Sequence, residues 1–557
     1  MLNLKHRVGL IVLVIAAMGS AQEAGPQSNT EKPPSPPSLP LSQIVDRLVA
    51  RENALVAQMQ HLHPMVETYI QNLTTDQDHE IVPKSDNYFI GRLDMSDGTD
   101  DQSFLKQAGF GKRVLSAMNN MGGTKFLPRG FAQMVLIDDD FRKDAYDFHY
   151  VRKEFLGEIR CLVMDVQPRK GAGKGRFIGR IWVEDQDFNI VRFNGTYTPN
   201  GHNQFYFHFD SWRLNLQPGA WLPAYVYSEE TGGHASKAFN FKSQTRLWGY
   251  DLQKIARGEE FAQIQVESTV KDQSEVAQDA GPLEAQRLWE RQAEDNAIDR
   301  LERVGLLAPV GEVDKVLQTV VNNLMVTNNL EIVPEVRCRV LLTSPLESFT
   351  IGHTIVVSRG LLDVLPDESS LAMILAHELS HIVLGHRMDT ELAFNDRLFF
   401  PDDKTYQRMD FIRDPVEEEA ADKKAVELLK KSPYNGKLAN AGLFLKALQE
   451  RAPELKSLIR PHLGNGLAKG DTLRMSALMN DAPQLDNKRT DQIAALPLGG
   501  RIKLDPWSNQ IEMIKPKTVP LLSPQDKMPF EVTPFFPHLS RLGGQGSDKL
   551  ALVPSAN

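Results

Sequence analysis

Apolar residues recur at helical spacing through residues 42–73, at Ile44, Leu48, Leu55 and Met59, which predicts one amphipathic helix. From about residue 88 to 252 the pattern changes. Phe205, Phe207 and Phe209 alternate with Tyr206, His208 and Asp210, the two-residue period of a strand. Comparable runs occupy residues 159–167, 176–185, 189–198, 220–230 and 239–250, separated by short Gly-, Pro- and Asp-containing turns. Such spacing predicts an antiparallel sheet. Large aromatic residues fall on both of its faces, which suits a concave apolar surface on one of them. Residues 282–304 are charged and helix-forming and read as a connector. An amphipathic helix follows over residues 313–324, and helix formers dominate again from Leu371 to Arg387.

The two ends follow different rules. Lys5 and Arg7 precede an apolar run from Val8 to Met18, then small residues at 19–21. That order predicts a secretory signal over residues 1–21. The run is shorter than the roughly 20 residues that span a bilayer; an uncleaved N-terminal anchor is the alternative. Residues 22–41 are rich in Pro and Ser and read as a linker. After about Leu504 the chain is again Pro-rich. This tail is expected either to wrap over the body without regular structure or to move freely.

Composition narrows the function. A chain of 557 residues suggests two to four domains. Its net charge of −9 argues against nucleic acid as a partner. No further run is long and apolar enough for a mature transmembrane span, so an exported protein is expected, periplasmic or secreted. Two cysteines, Cys161 and Cys338, exclude a disulfide scaffold and a Cys-rich zinc module. They form either one bridge or two buried thiols. Any metal falls to His and carboxylates.

Several motifs read as ordinary structure. Residues 170–175 (KGAGKG) lack phosphate-loop spacing and suit a basic hairpin turn. Asp138, Asp139 and Asp140 lack a calcium-loop pattern. His61 and His63, two apart, do not share a helix face. Sequons at Asn72 and Asn194 matter only in a eukaryotic secretory pathway.

The informative segment is His377-Glu378-Leu379-Ser380-His381, an HExxH pattern in a helix that Asp367 or Ser369 can cap. Four residues apart, His377 and His381 are separated by only about 40° around the helix. Both imidazoles can bind one Zn²⁺, with Glu378 beside a water at the metal. A third ligand is needed. In residues 413–429, Asp414 suits an N-cap, Pro415 the first turn, and Glu417 the capping-box position. Ala421, Ala425, Leu428 and Leu429 mark the buried stripe, and Glu418 and Asp422 lie on it. Glu418 is therefore the expected third ligand, with Glu417 the alternative. Asp422 is expected to orient a ligating histidine. Glu419 points to solvent.

HExxH followed by Glu418-Glu419-Ala420-Ala421-Asp422 resembles the M48 family of zinc metalloendopeptidases. The stretch 348–362 (SFTIGHTIVVSRGLL) and the continuation to His386 are similar as well. The resemblance spans roughly residues 310–480. It implies one Zn²⁺ per chain and peptide hydrolysis with Glu378 as base. The family's Asn-Ala-Phe is replaced by Glu347-Ser348-Phe349. Its downstream His-Pro and Arg-hydrophobic pairs correspond roughly to Pro461-His462 and Arg474-Met475, which suggests His462 as the residue stabilising the oxyanion. His386 reads as a supporting residue. Residues 85–255 more loosely resemble the half-barrel of periplasmic lipoprotein carriers, which implies a pocket for lipid or an apolar peptide.

The expected fold is thus α+β: an N-terminal antiparallel β-sheet or half-barrel domain (42–265), a helical connector (266–310), a mainly α-helical zincin (HExxH) peptidase domain (311–500) and a Pro-rich tail (501–557). The expected function is an exported zinc endopeptidase acting on extended or unfolded envelope proteins, with the strand at 354–358 accepting substrate as an added strand. The alternatives are an inactive zinc-fold holdase and a lipid or lipoprotein carrier.

Overall fold

The computed structural model describes residues 39–75, 81–95, 100–103, 134–138, 140–173, 175–198, 208–230, 240–250, 282–386, 411–469, 472–485, 502–504, 511–513, 530, 532 and 537–542. The signal segment, most of the linker and residues 205–207 of the Phe-alternating run lie outside them.

Helix α1 spans Leu41–Met59, with Val45, Leu48, Leu55 and Met59 buried. The helix expected over residues 42–73 ends there. Pro64 cannot continue a helix, and Val66, Thr68 and Ile70 beyond it are β-branched. Residues Met65–Thr75 instead form strand β1. Nine further strands follow: β2 Ile81–Asp94, β3 Asp100–Ser103, β4 Tyr146–Leu156, β5 Ile159–Pro168, β6 Phe177–Glu184, β7 Ile190–Tyr197, β8 Phe209–Gln217, β9 Ala220–Glu230 and β10 Phe241–Trp248. They make one antiparallel sheet in the order β3-β2-β1-β10-β9-β8-β7-β6-β5-β4. It is two meanders, β1–β3 and β4–β10, with β3 and β4 at opposite edges and β10 paired to β1 where they meet.

Helix α1 lies against β7. Its buried Glu52 pairs with buried Arg213 of β8 at 2.6 Å, and the guanidinium sits over Phe193. Phe177, Phe193, Tyr197 and Phe209 pack on one another nearby, with ring centroids 5.3–6.2 Å apart. The Asp138 triplet is no ion site in what is described of it. Asp138 accepts hydrogen bonds from Arg176 and Tyr146.

The helical lobe begins with α2 (Pro282–Val304) and α3 (Glu312–Thr327). A small sheet follows, β11 (Arg337–Leu341), β12 (Glu347–Ile351) and β13 (Thr354–Ser358), then α4 (Arg359–Val364) and α5 (Glu368–Val383). Farther on come α6 (Pro415–Lys430), α7 (Leu438–Arg451), α8 (Lys456–Ile459) and the two-residue strand β14 (Asn465–Gly466). The sheet order is β11-β13-β12-β14. Strand β13 is therefore interior, with both edges already paired, and cannot accept an added strand as the sequence suggested. Strand β12 is the candidate edge, and β14 covers it only at Glu347 and Ser348. Both cysteines are free and buried, and burial pushes each thiol up to about 12.

Leu41–Asn557 form one compact unit, in which sheet and helical lobe share a continuous cluster of buried side chains. Polar ties reinforce that junction. Glu67 of β1 and Arg359 of α4, each 2% exposed, pair at 2.7 Å. Tyr88 and the Ser344 amide also donate to Glu67. Burial pushes the Glu67 carboxyl up, against the opposing pull of Arg359. Asp86 of β2 accepts the amides of Ser457 and Leu458 at 2.7 Å. Removing one partner of a buried ion pair strands the other charge. Arg359→Met is expected to cost about 3–5 kcal/mol in denaturant unfolding, whereas a loss under about 1 kcal/mol would show that the pair does not hold the halves together.

Candidate metal centre

Helix α5 starts where the sequence places it: Asp367, following Pro366, accepts from the Ser370 amide at 2.9 Å. Its apolar residues bury the helix nearly all round, carrying His377, Glu378 and His381 inside, each 1–2% exposed. Helix α6 packs against it. Asp414 caps α6 through the Val416 amide, and its buried residues are Ala421, Ala425, Leu428 and Leu429. Glu417 does not close a capping box; it faces Arg413 at 3.6 Å. Glu419 pairs with exposed Lys423.

The helix phase brings Glu418 to the two histidines. Its oxygens lie 3.4 Å from His377 Nε2 and 3.3 Å from His381 Nε2, and the two ring nitrogens are 3.1 Å apart. One ligand atom from each residue falls within 4.8 Å of the other two. Behind them, His377 Nδ1 lies 2.8 Å from Asp422, and His381 Nδ1 2.9 Å from His386 Nδ1. Asp422 also accepts the Met475 amide at 2.9 Å, which ties α6 to the segment after β14.

Glu378 is held from β12. Ser348 donates to one oxygen at 2.6 Å and Thr350 to the other at 2.7 Å. Two residues apart on a strand, Ser348 and Thr350 face the same way, a signal present in the sequence. Arg474 lies 3.5 Å from Glu378 and 2.8 Å from Glu418, and Asn465 donates to Glu418 at 2.5 Å. Asn465 carried no signal, because only the fold brings it here.

His462 has neighbours of its own, and its buried Nε2 has no hydrogen-bond partner among the described residues. Its ring stacks on Tyr88, with centroids 5.1 Å apart, and burial lowers it to about 4. Among the described residues no hydrogen bond or ion pair joins it to His377, Glu378, His381 or Glu418. The cation beside those groups is Arg474. The His462 backbone matters for another reason. Buried Glu347 accepts the amides of His462 and Leu463 at 2.9 Å, which pins the segment leading into β14.

Electrostatics favour charged acids here. Burial alone would raise Glu378, but His377, His381 and Arg474 hold it below its ordinary value. Burial opposes ionisation of Glu418 too, and the two histidines and Arg474 hold it far below the carboxylate range. Burial and Arg474 depress His377, yet Asp422, Glu418 and Glu378 raise it overall, whereas burial lowers His381. Glu418 Oε2 is buried and, although Arg474 Nε is near, accepts no well-formed hydrogen bond. Two imidazole nitrogens and a carboxylate short of a partner match the donor set that binds Zn²⁺ with a position left open.

Residues 312–397 match the model of peptidase family M48. That stretch runs from α3 through the HExxH helix, so the resemblance read from the motifs is found there, and it supports a metallopeptidase. Glu418 and Asp422 lie beyond it. No curated protein matches the chain. Among solved structures, a DUF1329 family protein from Desulfovibrio piger is similar at 12% identity and a TM-score of 0.18, over 36% of this chain and 92% of that one.

Asp422 fixes the ring whose other nitrogen faces the site, so Asp422→Ala is expected to weaken zinc binding by about 10–100-fold. Competition against a chromophoric chelator measures this. Glu419→Ala, on the exposed face, serves as the control and should leave affinity unchanged.

Proposed function

We propose that the chain is an exported zinc endopeptidase acting on extended or unfolded polypeptides. The observation that carries the proposal is the convergence of His377, His381 and Glu418 beside an oriented, ionised Glu378. These three residues would hold one Zn²⁺, which supplies Lewis acidity toward water and the scissile carbonyl. Glu378, steered by Ser348 and Thr350, takes the proton of the attacking water and delivers it to the leaving amine. Arg474, beside Glu378 and Glu418, would add positive charge next to the reacting groups. Asp422 and His386 orient the two imidazoles.

Strand β12 supports the substrate reading. Beyond Ser348 its outer edge has no strand partner among the described residues, and an extended chain pairing there would displace Arg413, which donates to the Thr350 carbonyl at 3.3 Å. In a folded substrate most backbone groups are already paired, which favours extended or unfolded chains. The signal-like N-terminus supports export, and no described helix is long and apolar enough to cross a membrane.

Glu378→Gln keeps the shape of the side chain but removes its basicity. The variant is expected to bind zinc as the unsubstituted chain does and to lose at least about 100-fold in cleavage of an unfolded protein. Chelator should abolish cleavage by the unsubstituted chain, and added zinc should restore it. Unchanged turnover in the variant would remove Glu378 from the role of base. A chain that binds zinc and unfolded protein without cleaving it would be a holdase instead.

A further inference from the structure

Three successive hairpin turns close one end of the large sheet: Gly157–Glu158 between β4 and β5, residues 185–189 between β6 and β7, and residues 218–219 between β8 and β9. The Pro-rich tail crosses all three. At the first, the Leu539 carbonyl accepts from the Glu158 amide at 2.8 Å, and the fully buried Leu539 side chain joins the core. A Cβ on Gly157 would come within 2.6 Å of the Leu539 backbone, so the turn is shaped to this passing chain. At the second, the Arg541 guanidinium pairs with Glu184 and lies 3.7 Å from Asp187. The amides of Gln186, Asp187 and Asn189 hold Glu184 in place. At the third, the Leu542 amide donates to Asn215 at 2.8 Å.

The contacts have the form of peptide recognition. Main-chain groups of the tail meet fixed partners, one leucine fills an apolar site, and one arginine meets a buried carboxylate. Arg541 also sits 5.9 Å over the Trp221 ring. Trp221 is buried, and its indole N–H has no hydrogen-bond partner among the described residues. The tail adds no strand here; the rim meets it through one carbonyl, one amide, one leucine and one arginine.

We propose that this rim is a binding site for an extended peptide with leucine two residues before arginine, filled in this chain by its own residues 537–542 and open to exchange with another polypeptide. The tail occupies it through tethering, which raises its local concentration.

The test is binding, read apart from proteolysis in a Glu378→Gln background. A fluorescent peptide with the sequence of residues 530–542 is titrated by anisotropy into the full chain and into the full chain carrying Leu539→Ala and Arg541→Ala. The emptied rim is expected to bind the peptide at least about tenfold more tightly than the filled one. A peptide with alanine for the arginine should not bind. Equal binding to both chains, or equal binding of both peptides, would overturn the proposal. If the doubly substituted chain does not fold, a protease site inserted between residues 514 and 529 replaces it. After cleavage, saturating peptide should release the C-terminal fragment in gel filtration, and retention of the fragment would overturn the proposal.

Discussion

The structure turns on the buried ion pair between Glu67 and Arg359. Neither side chain reaches water, and a charge left alone there is strongly unfavourable. Each therefore fixes the other, and with it β1 of the large sheet against α4 of the helical lobe. Helix α4 ends three residues before the cap of α5. The position of the HExxH helix is thus set from the N-terminal half of the chain. Ser344 binds both members of the pair and lies three residues before β12, so the strand that steers Glu378 is held by the same knot.

Around that frame, buried carboxylates do most of the positioning. Glu347 gathers the amides of residues 462–463, Asp86 those of 457–458, and Glu184 those of 186, 187 and 189. Glu347 and Glu184 thereby anchor irregular segments, and Asp86 anchors the first turn of α8. Glu418 and Glu378 differ in being answered by histidines, hydroxyls and Arg474 rather than by backbone. That difference separates acids that hold the chain from acids that can act on another molecule.

The legible part of the sequence was whatever is local. HExxH, the cap at Asp367, the stripe of Ala421, Ala425, Leu428 and Leu429, and strands β5, β6, β7, β9 and β10 follow from period and end signals within a few residues. The strand at Met65–Thr75 is hard to read locally because its apolar spacing also fits a continued helix, with Pro64 the local sign against one. The interior position of β13 was not legible, since strand order is decided by pairing between distant segments. For the same reason the neighbours of His462 and Arg474 are not legible: Arg474 lies beside Glu378 and Glu418, and the His462 ring stacks on Tyr88. A short motif carries no information about which way the fold turns its side chain.

The spacing of contacts along the chain also sets a timetable. Glu67 meets a partner 292 positions later, and Gln71 of the same strand holds the backbone of Phe530 and Val532, the latter 461 positions later. During synthesis, β1 is among the first strands made and among the last to be completed. Such long-range closure makes folding slow and leaves apolar strands uncovered meanwhile. The ladders of β1 close by residue 248, but its buried carboxylate and amide wait for residues 359, 530 and 532.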